Sequence, residues 1–344
     1  MDIFALNKKE WWGVLVVLAV SALVLYLDLK NTPVATLLAA ASKIVPWRLL
    51  LTFLAMFLSF VCEAGILRVL AEKPGAAKRS WWSYQRIPLI QALFNGITPM
   101  ATGGQPSQLA AMVEMGMKGG RATSLLMMKF IIYQLVVLFA YLTSFIFGFR
   151  LVATKFAGLA IFILLGFLMH LSSIILLLVA MFAHDWCRKA VAWCMRLLRK
   201  FMKKETVDKL ERETLDQVEA FYRESQVLKQ EKRKLAAATA LTVVQLLLYY
   251  SIPYLTLWSL GLSASWANVT LMTIMIIMFM AVIPLPGASG GAEFSFQTLF
   301  ASFIDQSGTL VLAMFIWRFA TYFFGMLLGV IGWTFKPKKL QDAD

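Results

Sequence analysis

The sequence predicts an all-α polytopic membrane protein, built as an inverted-topology repeat with six full spans and two re-entrant helical hairpins. Three observations carry that prediction. Of the 344 residues, 60% are hydrophobic and the mean hydropathy is +0.73, which excludes an ordinary soluble domain. One polar, helix-breaking phrase is written twice, as GITPMATGGQPSQ at 96–108 and as VIPLPGASGGAEFS at 282–295. The basic residues, finally, gather on one side of the apolar runs.

Taken in order, full spans are expected at 11–29, 48–70, 124–149, 156–183, 235–259 and 309–334. Each is an apolar run of the length needed to cross about 30 Å of hydrocarbon. Residues 1–10 are short and mildly basic, and no small-residue cleavage site follows, so no cleavable signal peptide is expected. The two phrases fall in the segments left over, 88–117 and 267–304. Pro88, Gly96, Pro99, Gly103, Gly104 and Pro106 interrupt the first too often for a span. It reads as two half-helices around a polar turn, entering and leaving on one side. The second has a longer first arm, 267–283, broken by Pro284, Pro286, Gly287, Gly290 and Gly291 before 292–303 returns. Laid on each other, Pro99 meets Pro286, Ala101 meets Ala288, Thr102 meets Ser289, and Gly103 and Gly104 meet Gly290 and Gly291. The offset is 187 throughout.

The formal net charge is +14, and the positive-inside rule turns it into an orientation. Lys8 and Lys9, the 68–87 and 184–234 segments, Lys118, Arg121, Lys129 and Lys336, Lys338 and Lys339 fall together, so 27 of the 33 Lys and Arg lie on or near the inside. Both termini are then cytoplasmic. The first hairpin opens from the cytoplasm and the second from the outer face, an arrangement found in many secondary transporters. The first repeat covers 1–149. The second covers 150–183 and 235–335, around a cytoplasmic insertion at 184–234, with a tail at 336–344. In the insertion Trp186, Ala190, Trp193, Cys194, Leu197 and Phe201 recur at helical spacing among Arg and Lys. That is a basic amphipathic helix for an anionic inner leaflet. Residues 205–234 read as a solvated or partner-docking helix. Three cysteines without C-x-x-C spacing and only two histidines supply metal or triad chemistry poorly. No metal, cofactor or nucleic-acid partner is expected.

Ionisable residues inside spans are costly and point to function. Glu63 has Arg68 five residues on; it is either a candidate site residue or a partner for Arg68 near the cytoplasmic interface. Lys129 lies near an inner end, where it can snorkel or face the interior. Arg318 is too deep to snorkel and needs an acid or a substrate anion; Glu293, just after the second Gly-Gly, is the available acid. His170 reads as a satisfied buried imidazole, with a proton relay as the alternative. Gln134, Gln245, Tyr249, Tyr250 and Tyr322 offer further polar lining. Each turn supplies backbone N–H groups, hydroxyls and close-approach glycines, and each leads into a helix start near Gln105 or Ala292. Helix starts favour anions, so two of them aimed at one cavity would suit a phosphate; the alternative is a pair of packing kinks.

TPMATGGQPSQ at 98–108, PLPGASGGAEFSF at 284–296 and WRFATYFFG at 317–325 together resemble the flippase-like membrane domain of bacterial lysylphosphatidylglycerol synthases, the multiple peptide resistance factor family. The resemblance covers about 10–335. It implies an inverted-repeat bundle that moves a phospholipid, typically aminoacylated phosphatidylglycerol, between leaflets of the bacterial inner membrane. Its motifs fall on Thr102, Gly103, Gly104, Gln105 and Pro106, on Ser289, Gly290, Gly291 and Glu293, and on Arg318 and Tyr322. With Lys129 and Glu63 these form the expected site for anionic phospholipids. The soluble aminoacyl-transfer domain of the full synthases has no counterpart within 344 residues, which separates the expected transport from transfer. Two other readings remain: a membrane transferase acting on phosphatidylglycerol, which would need a nucleophile or base and a tRNA site, and a scaffold that holds envelope enzymes through 184–234.

Overall fold

The computed structural model describes residues 30, 33–72, 79–155, 157–182, 184–199 and 204–335. Every regular element among them is helical. Five helical stretches are long and apolar enough to cross a membrane: Pro46–Ala71, Gly119–Phe149, Gly158–Ile175, Lys232–Ser259 and Ser307–Thr334. They coincide with five of the six expected spans. The expected span at 11–29 and the tail at 336–344 lie outside the described residues.

A short helix, α1 (Val34–Ala41), precedes α2 (Pro46–Ala71). Pro46 opens α2 at a position where a missing N–H costs nothing. The first interrupted segment folds as α3 (Trp81–Ile97), a 3₁₀ turn (Pro99–Ala101) and α4 (Gly104–Glu114). Ser80 caps α3 by accepting from the Ser83 N–H at 3.3 Å. The long α5 (Gly119–Lys155) and α6 (Ala157–Phe182) follow. Then come α7 (His184–Leu198) and α8 (Lys204–Gln230), and the next crossing stretch is split into α9 (Lys232–Tyr250) and α10 (Ile252–Ser259). The second interrupted segment folds as α11 (Trp266–Met280), a 3₁₀ turn (Pro286–Ala288) and α12 (Gly291–Phe300). The last stretch is α13 (Ser307–Arg318), a π turn (Phe319–Phe323) and α14 (Phe324–Thr334).

Small residues set the closest helix contacts, as expected where lipid removes the hydrophobic drive between helices. Gly329 of α14 lies so close to α3 that a Cβ there would sit 2.5 Å from the Leu89 carbonyl oxygen. Gly166 of α6 meets α11 in the same way, 2.0 Å from the Met278 carbonyl oxygen. Buried Arg86 of α3 ties this region together. It donates to the Gly332 carbonyl at 3.0 Å and to Glu114 of α4 at 2.8 Å. The helices of 184–230 are packed, not detached: α7 and α8 lie against each other and against α6, and Arg199 bridges Asp208 at 2.9 Å and Glu211 at 2.7 Å. Trp186, Arg188, Lys189, Trp193, Arg196 and Leu197 stay exposed on α7, which gives it the mixed apolar and basic surface its pattern predicts.

Candidate functional site

The two 3₁₀ turns touch each other. They also share a backbone shape. Met100 and Ala101 in the first turn have φ of 51° and 56°; Gly287 and Ala288 in the second have 58° and 52°. These are matching positions at the offset of 187. Left-handed backbone is uncommon for residues with a Cβ, so its appearance twice at equivalent places reflects the same turn, and the Pro-x-Ala phrase codes for it.

A cavity of about 620 Å³ lies where the turns meet. Its walls come from α2, both hairpins, α5, α6, α9 and the last crossing stretch. Two ion pairs border it. On one side Lys129 of α5 donates to Glu63 of α2 and, at 3.3 Å, to Gln108 of α4. Gln108 donates to the same Glu63 oxygen at 3.0 Å and also to Gln91 of α3. Gln245 of α9 donates to the other Glu63 oxygen at 3.1 Å. Three helices thus converge on a carboxylate carried by a fourth.

On the other side Arg318 Nε donates to Glu293 of α12 at 2.6 Å, and Arg318 Nη2 donates to the Gly287 carbonyl at 3.0 Å. The Tyr322 ring lies 4.8 Å from the guanidinium, at a separation suited to a cation–π contact. Its hydroxyl donates to the Gly96 carbonyl at 2.8 Å. Tyr322 therefore reaches from the last crossing stretch to the end of α3. The π turn that follows Arg318 adds one residue to the helical repeat; such bulges frequently mark functional sites.

The family model described as Lysylphosphatidylglycerol synthase TM region matches residues 13–329. The chain belongs to that family. No curated protein matches it. Membership of the lysylphosphatidylglycerol synthase TM-region family, with the five apolar helices, makes it a multi-pass membrane protein.

Of the site residues expected from sequence in this family member, Glu63, Gln105, Lys129, Arg318 and Tyr322 line the cavity. Glu293 stands behind Arg318, and Thr102, Gly103, Gly104, Ser289, Gly290 and Gly291 do not border it. Three of these glycines admit neighbours from their own chain. A Cβ at Gly104 would fall 1.9 Å from Asn95 Oδ1, one at Gly103 2.7 Å from the Thr98 side chain, and one at Gly291 2.7 Å from Ile283.

Several expectations are corrected. Arg68 pairs with Glu72 at 2.9 Å, so Glu63 is not its partner. Lys129 does not snorkel: it is only 8% exposed and turns inward to Glu63. The start of α12 is not vacant for an anion, because Glu293 accepts from the Gly290 N–H at 2.7 Å. A carboxylate of the chain itself occupies the place where the helix dipole favours negative charge. His170 borders the cavity next to Tyr141 with its Nε2 buried and without a partner among the described residues, so it is not a satisfied core imidazole. Gln134 and Tyr250 are not in the lining, whereas Gln245 and Tyr249 are.

Sequence reading missed Gln91, Asn95 and Gln108. The signal was present. Gln91 and Asn95 are four apart on α3, and Gln105 and Gln108 are three apart on α4, so each pair shares a helix face. Two short arms of one hairpin each carry an amide stripe, and both stripes face the cavity.

Proposed function

We propose that the protein carries a phospholipid head group from one leaflet to the other by alternating access, while the acyl chains stay in lipid. The observation that carries this is the meeting of both hairpin turns and both buried ion pairs at one cavity. Non-helical backbone at membrane depth is tolerated where it is covered by protein or lines a wet cavity. Helix positions support a repeat behind that geometry. Shifting 46–71 by 187 gives 233–258, against α9 and α10 at 232–259. Shifting 104–114 gives 291–301, against α12 at 291–300. Shifting 119–155 gives 306–342, against the last crossing stretch at 307–334. In this reading the repeats are inverted, the hairpins are re-entrant from opposite faces, both termini are cytoplasmic and the membrane is the bacterial inner membrane. Arg318, held by Glu293 yet bordering the cavity, meets the lipid phosphate.

The test is leaflet exchange of fluorescent phospholipids, with and without an aminoacyl head group, in liposomes holding the purified protein. Wild type is expected to speed exchange, and Arg318→Ala and Gly290→Leu to abolish it. Absence of exchange for every lipid, with and without an imposed ion gradient, would sink the proposal.

A further inference from the structure

The charges bordering the cavity are already balanced. Glu63 and Lys129 neutralise each other, as do Arg318 and Glu293. What is left open is hydrogen-bonding capacity, and it comes mostly from amides. Gln91, Asn95, Gln105, Gln108 and Gln245 all line the same space. Gln108 is saturated by Glu63, Gln91 and Lys129. The other four are not. Gln91 has its carbonyl engaged by Gln108, which leaves its NH₂ group open. Gln245 is the reverse: Glu63 fixes its NH₂ group, and its carbonyl oxygen is buried without a partner. Asn95 and Gln105 have both ends free of hydrogen bonds among the described residues.

This open capacity contains donors and acceptors side by side. A phosphate offers only acceptors and an ammonium only donors, whereas a hydroxyl offers both. A buried amide oxygen without a partner is costly, and few folds keep one; a hydroxyl would satisfy it. The rings of Phe130, Tyr133 and Tyr249 border the same space and give apolar faces for the C–H side of a ring. At about 620 Å³, the cavity has the size of a small-molecule site rather than a packing void.

We infer that the cavity takes a head group with several hydroxyls, a sugar or a cyclitol carried on a lipid phosphate, in preference to a simple amine. The inference rests on the transport reading for the position of the lipid. The phosphate goes to Arg318, whose Nη1 makes no hydrogen bond among the described residues while Nε and Nη2 are held. The hydroxyls go to the amides of the first hairpin and to Gln245.

The experiment is binding of short-chain phospholipids with identical tails to the full chain in detergent, by native mass spectrometry. The probes are inositol, glycerol, ethanolamine and choline head groups, and leaflet exchange of the same series runs in parallel. The inositol lipid is expected to bind about tenfold tighter than the ethanolamine lipid, the scale of a hydrogen bond gained by a group otherwise left unpaired. Gln91→Leu and Gln105→Leu should each bring that ratio towards one. Gln105 is exposed and makes no internal hydrogen bond, so its variant keeps the fold even if Gln91→Leu does not. Equal or tighter binding of the glycerol, ethanolamine or choline lipid, with exchange intact, overturns the polyol inference and leaves transport standing. A preference for inositol that survives both substitutions also overturns it. If no lipid binds or exchanges, both readings fall.

Discussion

Arg318 is 5% exposed and Glu293 9%, and between them they account for the charge of one cavity wall. Taking two charges out of water is expensive, and removing one partner leaves the other buried and uncompensated. Glu293→Gln and Arg318→Ala are therefore each expected to destabilise the protein by about 3–5 kcal/mol. The double variant Glu293→Gln/Arg318→Met should recover most of that loss in thermal unfolding in detergent, yet stay inactive in exchange. Additive losses would show that the pair is not coupled; recovered exchange would show that Arg318 has no role beyond pairing. Tyr322 gives a second test at this scale. Its hydroxyl joins the last crossing stretch to the Gly96 carbonyl, and a Cβ at Gly287 would fall 2.3 Å from its ring. Tyr322→Phe should cost about 1 kcal/mol, the worth of one neutral hydrogen bond. Gly287→Val should cost more, because it adds strain at a φ of 58° to the clash with the ring. Equal unfolding midpoints for the two variants would contradict the contact.

Helix pairs show what the sequence can and cannot reveal. The Arg318–Glu293 pair was legible because a deep arginine demands an acid, and only one acid lies in the neighbouring hairpin. The Glu63–Lys129 pair was not. Glu63 and Arg68 look like neighbours in sequence, but five residues turn a helix through about 140° beyond a full circle, which puts them on different faces. The true partner comes from a helix 66 residues away, and no local spacing encodes that. The five apolar spans were legible from length and hydropathy alone, since lipid forces the backbone to satisfy itself within each helix. Close packing was less so: nothing in the glycine at 329 distinguishes it from Gly325 until α3 is placed against it. That placement carries its own prediction. Gly329→Val would press a side chain onto the Leu89 carbonyl and Leu93, and overpacking of this kind costs about 1–3 kcal/mol. Gly120→Val, where a Cβ would meet nothing within 4 Å, should leave the unfolding midpoint within the small range of a surface change. Equal midpoints for the two would mean that α3 and α14 do not touch at this point.

For the molecule as a whole, the proposed inverted repeat makes the strongest demand. An offset of 187 relates both the turn sequences and their left-handed backbones, but a repeat of sequence does not by itself give opposite orientation. Orientation follows from the number of crossings between the copies and from the basic residues, which collect in 68–87 and 184–234 and are missing from 260–308. If the copies are inverted, the loop after α4 and the loop after α12 face opposite sides of the membrane. Single cysteines at Lys118 and at Gln306, in a background with Cys62, Cys187 and Cys194 replaced by serine, should then react with an impermeant maleimide from opposite sides. Lys118→Cys should label in inside-out vesicles and Gln306→Cys in right-side-out vesicles. A cysteine at Arg188, on the exposed face of α7, should follow Lys118→Cys. Labelling of both loops from one side would make the copies parallel. The hairpins could then not open the shared cavity to the two leaflets in turn, and the transport reading would lose its mechanism even with the cavity and both ion pairs in place.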